Sequence, residues 1–498
     1  MKLNLPHGFH QFQNANHYLD KQLPKVEEIK ANNHQDKLLN SISDAFDRLA
    51  IKDGMCLSFH HHLRNGDYVL NMVCEEIQKR KLKDMILAPS SIFPSHKKLG
   101  ELIENGNVVK IYTNYMSGDV ARVISEGKLR DLLIMDTHGG RSVAIESGEI
   151  KIDVAFIASP CADDVGNGNG YHGPSACGSL GYAIPDMLYA QKKVVVTDYL
   201  INQVDSPEIK AEYIDYVVKI PRIGNQAEIV SGTTKITRDP IGLKIAENTA
   251  KLLDALGLIK DGFSMQTGAG GTSLAVSHYV KEIMKTKQVR AKFASGGITG
   301  YFVEMLEEGL IDELYDVQCF DLEAVRSIRE NHNHHAISAF QYGNPYHDPI
   351  INQLDFVILG ATEIDLNYNV NVTTSSNGLI IGGSGGHADT AHGAKVSIIV
   401  SPLLKTRIPI IKNQVTTITT PGEDIDILVT ERGIAINPHR QDLIDKLKGT
   451  KIRLAAIEQL YQEAHAISGV PASIKRSDQI IGLVRYRDMS IIDCLYKI

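Results

Sequence analysis

Short apolar, β-branched runs alternate along this chain with stretches whose apolar residues recur at helical spacing, and the alternation occurs twice in the same order. Residues 52–59, Lys-Asp-Gly-Met-Cys-Leu-Ser-Phe, read as a turn and a strand, followed by a polar stretch and a helical pattern through Val73 and Ile77. Residues 260–271, Lys-Asp-Gly-Phe-Ser-Met-Gln-Thr-Gly-Ala-Gly-Gly, lead in the same way into a helical pattern through Leu274 and Ile283. Further along, each half has a second pair of landmarks. One is the apolar stretch 152–160 ending in Asp163-Asp-Val-Gly-Asn, and the other is 354–362 ending in Asp365-Leu-Asn-Tyr-Asn. The runs 194–196 and 396–400 close the two units. Such alternation predicts two similar α/β domains, each a mainly parallel sheet flanked by helices. The boundary falls in the polar segment 231–240 near Asp239-Pro240, which gives an N-terminal arm 1–40, a first domain 41–235 and a second domain 236–498. Two facing domains of this kind place a site in the cleft between them; a duplication without a shared site is the alternative.

The densest chemistry lies at 381–395, Ile-Gly-Gly-Ser-Gly-Gly-His-Ala-Asp-Thr-Ala-His-Gly-Ala-Lys, directly before one of the predicted strands. Glycine costs up to ~1 kcal/mol relative to alanine where no special backbone is needed, so the run implies positive φ or close approach of backbone N–H groups to a ligand. A tight turn between strands is the plainer reading.

Composition narrows the partners. The 498 residues carry a formal charge of −7 and are 43% hydrophobic, and no block of Lys or Arg stands out. Nucleic acid and anionic membrane surfaces are therefore disfavoured, and an anionic substrate must be met by local cations. The scattered cysteines (Cys56, Cys74, Cys161, Cys177, Cys319, Cys494) read as reduced thiols. The start lacks a signal-peptide pattern and no apolar run approaches ~18 residues, so a cytoplasmic protein is expected.

Several motifs have plain readings. Gly168, Gly170 and Gly173 form a G-x-G-x-x-G that does not open a helix after a strand, and there is no phosphate-binding G-x-x-x-x-G-K-[ST] motif. The run His60-His61-His62 is a poor metal site, because adjacent strand residues face opposite ways. Its better use is that His60 or His62, with Arg64, lines a strand-end loop and binds a carboxylate. His332, His334 and His335 are expected in solvent. Glu304 is flanked by Tyr301, Phe302, Val303 and Met305 and is costly to bury unless paired or used; a solvent-facing helix position is the alternative. Glu363 stands at a strand end, and Asp365 closes a turn.

Through these and neighbouring residues the chain resembles the alpha subunit of citrate lyase and, more distantly, the CoA transferases of small carboxylic acids. The resemblance is carried by the stretches at 261–271, 295–312, 315–321, 359–365, 369–372, 382–395 and 430–438, and more thinly by 58–67. It implies two CoA-transferase-like domains and an acyl exchange. Acetyl held as a thioester on an acyl carrier (gamma) subunit, through a phosphoribosyl-dephospho-CoA arm, or on free CoA, is replaced by citrate with release of acetate. A beta subunit would then cleave the citryl thioester. The implied partners are those two subunits with citrate, acetate and acetyl-CoA in an oligomeric assembly; no metal and no covalently bound cofactor are expected.

The resemblance also suggests roles for individual residues. Gly385 and Gly386, with Gly382, Gly383 and Ser384, would supply backbone donors and line the thioester arm together with Gly268, Gly270, Gly271 and Asn371. Arg64, Arg141, Arg432, His387, His60 and His62 are the candidate citrate ligands. Glu304 stands where related CoA transferases carry a nucleophilic glutamate, although Phe302 replaces a histidine frequent in that motif. In citrate lyase the family picture is instead direct attack by citrate, giving a mixed citric–acetic anhydride, and the expectation for this chain is that Glu304 lines the site without carrying the acyl group. A stand-alone CoA transferase or acyl-CoA hydrolase with a glutamate nucleophile is the competing reading.

Overall fold

The computed structural model describes residues 3, 5–16, 23–32, 36–230, 235–469 and 477–498; residues 231–234, inside the expected boundary segment, lie outside them. Numbering only the strands of the two main sheets, the first half supplies β1 (Leu38–Leu39), β2 (Cys56–Phe59), β3 (Met85–Pro89), β4 (Val108–Thr113), β5 (Leu133–Met135), β6 (Val154–Ala158), β7 (Lys192–Thr197) and β8 (Tyr216–Lys219). The second half supplies β9 (Phe263–Thr267), β10 (Ala291–Ile298), β11 (Ile311–Cys319), β12 (His334–Ala336), β13 (Phe356–Leu359), β14 (Ser397–Val400), β15 (Ile427–Val429) and β16 (Ile434–Ile436). The C-terminal hairpin is β17 (Ile480–Arg485) and β18 (Ile491–Tyr496). The helices that matter for the site are α1 (Val69–Lys79), α2 (His138–Glu146), α3 (Gly271–Lys287), α4 (Gly300–Glu307) and α5 (His387–Gly393).

The first sheet runs β1-β8-β7-β6-β2-β3-β4-β5-β17-β18 and the second β12-β11-β10-β9-β13-β14-β15-β16. Read from β8 to β5 and from β15 to β12, the two orders are the same, and the pairings within those runs are parallel. Strands such as β2, β6, β13 and β14 are buried at every position, as expected for parallel strands covered on both faces.

The echo extends to single hydrogen bonds. Asp153, just before β6, accepts the N–H of Cys56 at 2.7 Å, and Asp355, just before β13, accepts that of Ser264 at 2.9 Å. Asp215, before β8, accepts from Lys193 N at 2.9 Å, and Asp426, before β15, accepts from Ser397 N at 2.8 Å. Each carboxylate satisfies an amide at the entry to the neighbouring strand, and a hydrogen bond to a charged group contributes about 1.5–3 kcal/mol. Asp163 and Asp365 hold the amide and side chain of Asn167 and Asn369 respectively. The expected turn-closing role of Asp365 is thus met, and Asp163 repeats it.

The last strands depart from the expected division. β17 pairs in parallel with β5 and antiparallel with β18, so residues assigned by their position to the second half complete the sheet of the first. Arg485 fixes this junction by donating from Nε and Nη2 to the two carboxylate oxygens of buried Asp136, at 2.6 and 3.0 Å. His334 also departs from expectation. It is buried and bonded to Ser327 Oγ and Asp316, whereas His332 is exposed.

Arg485→Met should strand a buried carboxylate and lower stability by about 3–5 kcal/mol, while the double variant Arg485→Met/Asp136→Leu should recover most of that loss. Denaturant midpoints of the single and double variants decide this; equal losses would show that the pair itself is immaterial.

Candidate active site

The carboxyl ends of both sheets converge on one cavity of about 450 Å³. Its walls come from residues just beyond β2 (His61, Arg64), β3 (Ser91, Phe93), β4 (Tyr115), β9 (Gly268, Gly270), β11 (Phe320) and β13 (Gly360, Thr362). Ligands of open parallel sheets sit at such strand ends.

The glycine loop 381–386 forms the seam. It leaves the second half and is hydrogen-bonded into the first, with Met116 N donating to Gly382 O at 3.2 Å, Gly385 N to Asn114 O at 3.1 Å and His138 N to Gly385 O at 2.8 Å. A Cβ at Gly383 would collide with the Asn114 carbonyl oxygen, one at Gly386 with the Tyr342 hydroxyl, and Gly385 has φ +50°. These contacts leave room only for glycine. The amide of Gly382 bonds Thr373 O and that of Gly385 bonds Asn114 O, so neither is available to a ligand. Among the described residues the amides of Gly383, Ser384 and Gly386 have no such acceptor.

Among the described residues that line it, none is Asp or Glu. The cation on the wall is Arg64, whose backbone is left-handed at φ 53° and whose guanidinium carbon lies 4.8 Å from the Phe320 ring centroid and 5.6 Å from that of Phe93. Burial lowers its pKa from the usual arginine value. The histidines are neutral: burial pushes His138 down to about 3 and His387 to about 4, and takes His61 well below the ordinary value. His387 uses both ring nitrogens, with Nε2 donating to Gly360 O at 2.9 Å and Nδ1 facing Thr420 Oγ1 at 2.8 Å. Gln266 Nε2 donates to Tyr342 Oη at 2.9 Å and its Oε1 accepts from Ser295 Oγ at 3.0 Å, fixing the Tyr342 hydroxyl beside the loop.

Of the residues expected from sequence, Arg64, Gly268, Gly270, Gly382, Gly383, Ser384, Gly385, Gly386 and His387 meet at this cavity. The others are corrected. Arg141 is buried and grips Asp186 with two bonds of 2.8 Å, which occupies its charge inside the first domain. His60 and His62 are bonded to each other through Nδ1 behind the wall, and His61 is the member of the triplet that lines the cavity. Arg432 is exposed, 3.5 Å from Glu463. Asn371 is buried and donates to Glu363 at 2.9 Å. Gly271, the first residue of α3, packs against Lys235 O. Glu304 is 59% exposed on α4 and paired with Lys281 at 2.9 Å, away from the lining residues. Sequence reasoning missed His138, Tyr182, Gln266, Gln318 and Tyr342. His138 carries a usable signal, standing three residues after the apolar run of β5 and just before two glycines.

A profile of the family described as citrate lyase, alpha subunit, matches residues 35–498. The chain belongs to this family. It is 45% identical over 478 residues to the citrate lyase alpha chain of Haemophilus influenzae, covering 96% of each protein. A Streptococcus mutans protein assigned as the alpha subunit of citrate lyase, solved in complex with citrate, superposes with a TM-score of 0.92 at 45% identity, covering 96% of this chain and 94% of that one. The Pseudomonas malonate decarboxylase hetero-tetramer, solved with malonate, contains a chain that matches at TM-score 0.62 and 15% identity over 88% of this chain and 84% of its own, a likeness of fold alone. The expected fold class, paired CoA-transferase-like α/β domains with the cleft between them, is borne out. Among the described residues no group of three or more His, Cys, Asp or Glu is placed to hold a metal, and no helix is long and apolar enough to cross a membrane.

Two outcomes follow for this family member. Gly386→Ala should displace the loop and speed hydrogen exchange across 381–387, and adding Tyr342→Phe should reverse part of the effect, because the hydroxyl is the atom struck. The second concerns acid. His60 (about 4), His138 (about 3) and His387 (about 4) titrate far below an unfolded histidine near 6.5. The unfolded chain therefore binds more protons once pH falls below about 6.5. The stability these groups contribute is present above that pH and is lost as pH drops toward their folded values, at up to about 1.4 kcal/mol per pH unit per histidine. Denaturant midpoints should fall between pH 7 and pH 5; unchanged midpoints would contradict the buried neutral state.

Proposed function

We propose that this protein is the acyl-exchange transferase of a citrate lyase complex, replacing acetyl by citrate on the thioester of the acyl carrier (gamma) subunit, or of CoA, to give citryl thioester and acetate. A beta subunit of the same assembly would cleave the product. The observation that carries this reading is that, among the described residues, no Asp or Glu lines the cleft. A covalent glutamate mechanism needs a protein carboxylate within reach of the acyl carbon, and Glu304 stands on the outer face of α4 in an ion pair. The attacking carboxylate is therefore the substrate's own.

The exchange balances in two steps. A citrate carboxylate oxygen adds to the acetyl carbonyl, the C–S bond breaks and the thiolate leaves, giving a mixed citric–acetic anhydride. The thiolate then adds to the citryl carbonyl and acetate leaves. Thioester replaces thioester, so the overall reaction is nearly isoenergetic and the barrier lies in the two oxyanions. The amides of Gly383, Ser384 and Gly386 are the preorganised donors for these; removing one such donor typically costs about 10²–10³ in rate. Arg64 offers a planar fork to one carboxylate. The thioester arm, a phosphoribosyl-dephospho-CoA group on the carrier or CoA itself, enters between Gly268–Gly270 and Gly382–Ser384.

Purified protein with acetyl-CoA and citrate should yield citryl-CoA by mass spectrometry, with no such product from simple fatty acids. Glu304→Ala should retain turnover within about twofold, as expected for an exposed ion pair. Arg64→Met should raise the KM for citrate by a factor on the order of 10², the scale of truncating one side of a desolvated charge pair. Loss of exchange in Glu304→Ala, or failure of wild-type protein to exchange with both CoA and loaded carrier, would overturn the reading.

A further inference from the structure

Resting on the exchange reading, we propose that His138 is a further catalytic residue: its Nε2–H donates a hydrogen bond to the oxygen that turns negative during acyl exchange, completing the hole begun by the glycine-loop amides. His138 is the first residue of α2, and its backbone amide donates to Gly385 O at 2.8 Å. Its ring is thereby positioned by the same segment that bears the free amides. A Cβ at Gly385 would lie 3.3 Å from Nε2, which places that nitrogen on the loop side of the cleft.

The ring is held rather than free. Its centroid is 4.3 Å from that of Tyr182 and 5.6 Å from that of His61, with an interplanar angle of 14° to the latter. Nδ1 is buried and has no hydrogen-bond partner among the described residues. A neutral imidazole has one N–H and one bare nitrogen, and a proton on Nδ1 would be a buried donor with no acceptor. The proton therefore sits on Nε2, facing the cleft. The groups packed around the ring are His61, His62, Tyr182 and, one turn along α2, Arg141; burial and Arg141 together keep the imidazole uncharged. A group so disposed can donate through the pH range of the cell and cannot act as a general base there.

Two substitutions separate the nitrogens, since a glutamine amide reaches the place of Nε2 and an asparagine amide that of Nδ1. In the acetyl-CoA and citrate exchange, His138→Ala and His138→Asn should lower kcat by about 10²–10³ with the KM for citrate changed less than threefold. His138→Gln should recover at least tenfold of that loss. A packing role would instead lower thermal stability while leaving kcat per folded molecule within threefold, and that result overturns the proposal. The wild-type rate tests the exchange reading separately. Long-range ¹H–¹⁵N spectra of histidine-labelled protein test the tautomer without any turnover. A neutral Nε2–H ring for the signal lost in His138→Gln supports the assignment, whereas an Nδ1–H ring or a midpoint between pH 5 and 7 refutes it.

Discussion

The rest of the site depends on a strap of backbone hydrogen bonds that ties the glycine loop of one half to the strand ends of the other. Gly382 O, Gly385 N and Gly385 O meet Met116 N, Asn114 O and His138 N across the interface. Side chains along the strap would strike the carbonyl oxygens it has to approach, so the sequence there is glycine for steric reasons. The strap is braced from behind by Asp389 of α5, which accepts from Thr137 Oγ1 and Gly139 N, both at 2.8 Å, and faces Arg487 at 3.7 Å. Arg487 lies in the turn of the C-terminal hairpin. The crossing of that hairpin into the first sheet therefore has a consequence at the cleft: the end of the chain supports the joint between the halves.

Much of the fold was legible in the sequence because the duplication preserves spacing where it does not preserve identity. Asp153 and Asp355, or Asp163 and Asp365, recur at matching distances from their strands because each serves a backbone amide, and backbone geometry is the same in both halves. The glycine loop was legible for a related reason, since its composition is dictated by close approach. Glu304 misled because its sequence neighbours are apolar. On a helix, however, residues at i±1 do not share a face, and Phe302, Val303, Met305 and Leu306 turn inward while Glu304 turns out. The identity of the lining histidine within 60–62 rests on contacts with residues hundreds of positions away. No local pattern encodes those.

The arginines show how a chain of net charge −7 distributes positive charge. Arg141, Arg485 and Arg487 are buried beside Asp186, Asp136 and Asp389, where each cation compensates a carboxylate that would otherwise be costly to enclose. Their role is to hold α2, the C-terminal hairpin and α5 in register. Arg64 is different: it lies on the cleft wall against aromatic rings, on a backbone with φ 53° that costs a non-glycine residue about 1–3 kcal/mol. The surrounding strand-end loop over-determines that conformation, and the side chain is delivered to the cavity as a result.

Charge in the cleft is therefore sparse by construction, and on the exchange reading the sparseness is useful. A cluster of cationic histidines would bind a tricarboxylate tightly in its ground state and would draw electron density from the carboxylate that must attack. Interactions of that kind lower KM without raising kcat. One guanidinium suffices to orient the anion. Uncharged donors, the loop amides and the neutral His138 imidazole, interact weakly with a thioester carbonyl and strongly with the oxyanion it becomes. Burial keeps His61, His138 and His387 neutral, and on that reading the ring that turns a nitrogen to the cleft, His138, shifts the balance of the site from holding substrate toward stabilising the transition state. The same enclosure makes the fold sensitive to acid, because the protons these rings refuse in the folded state are accepted when the chain unfolds.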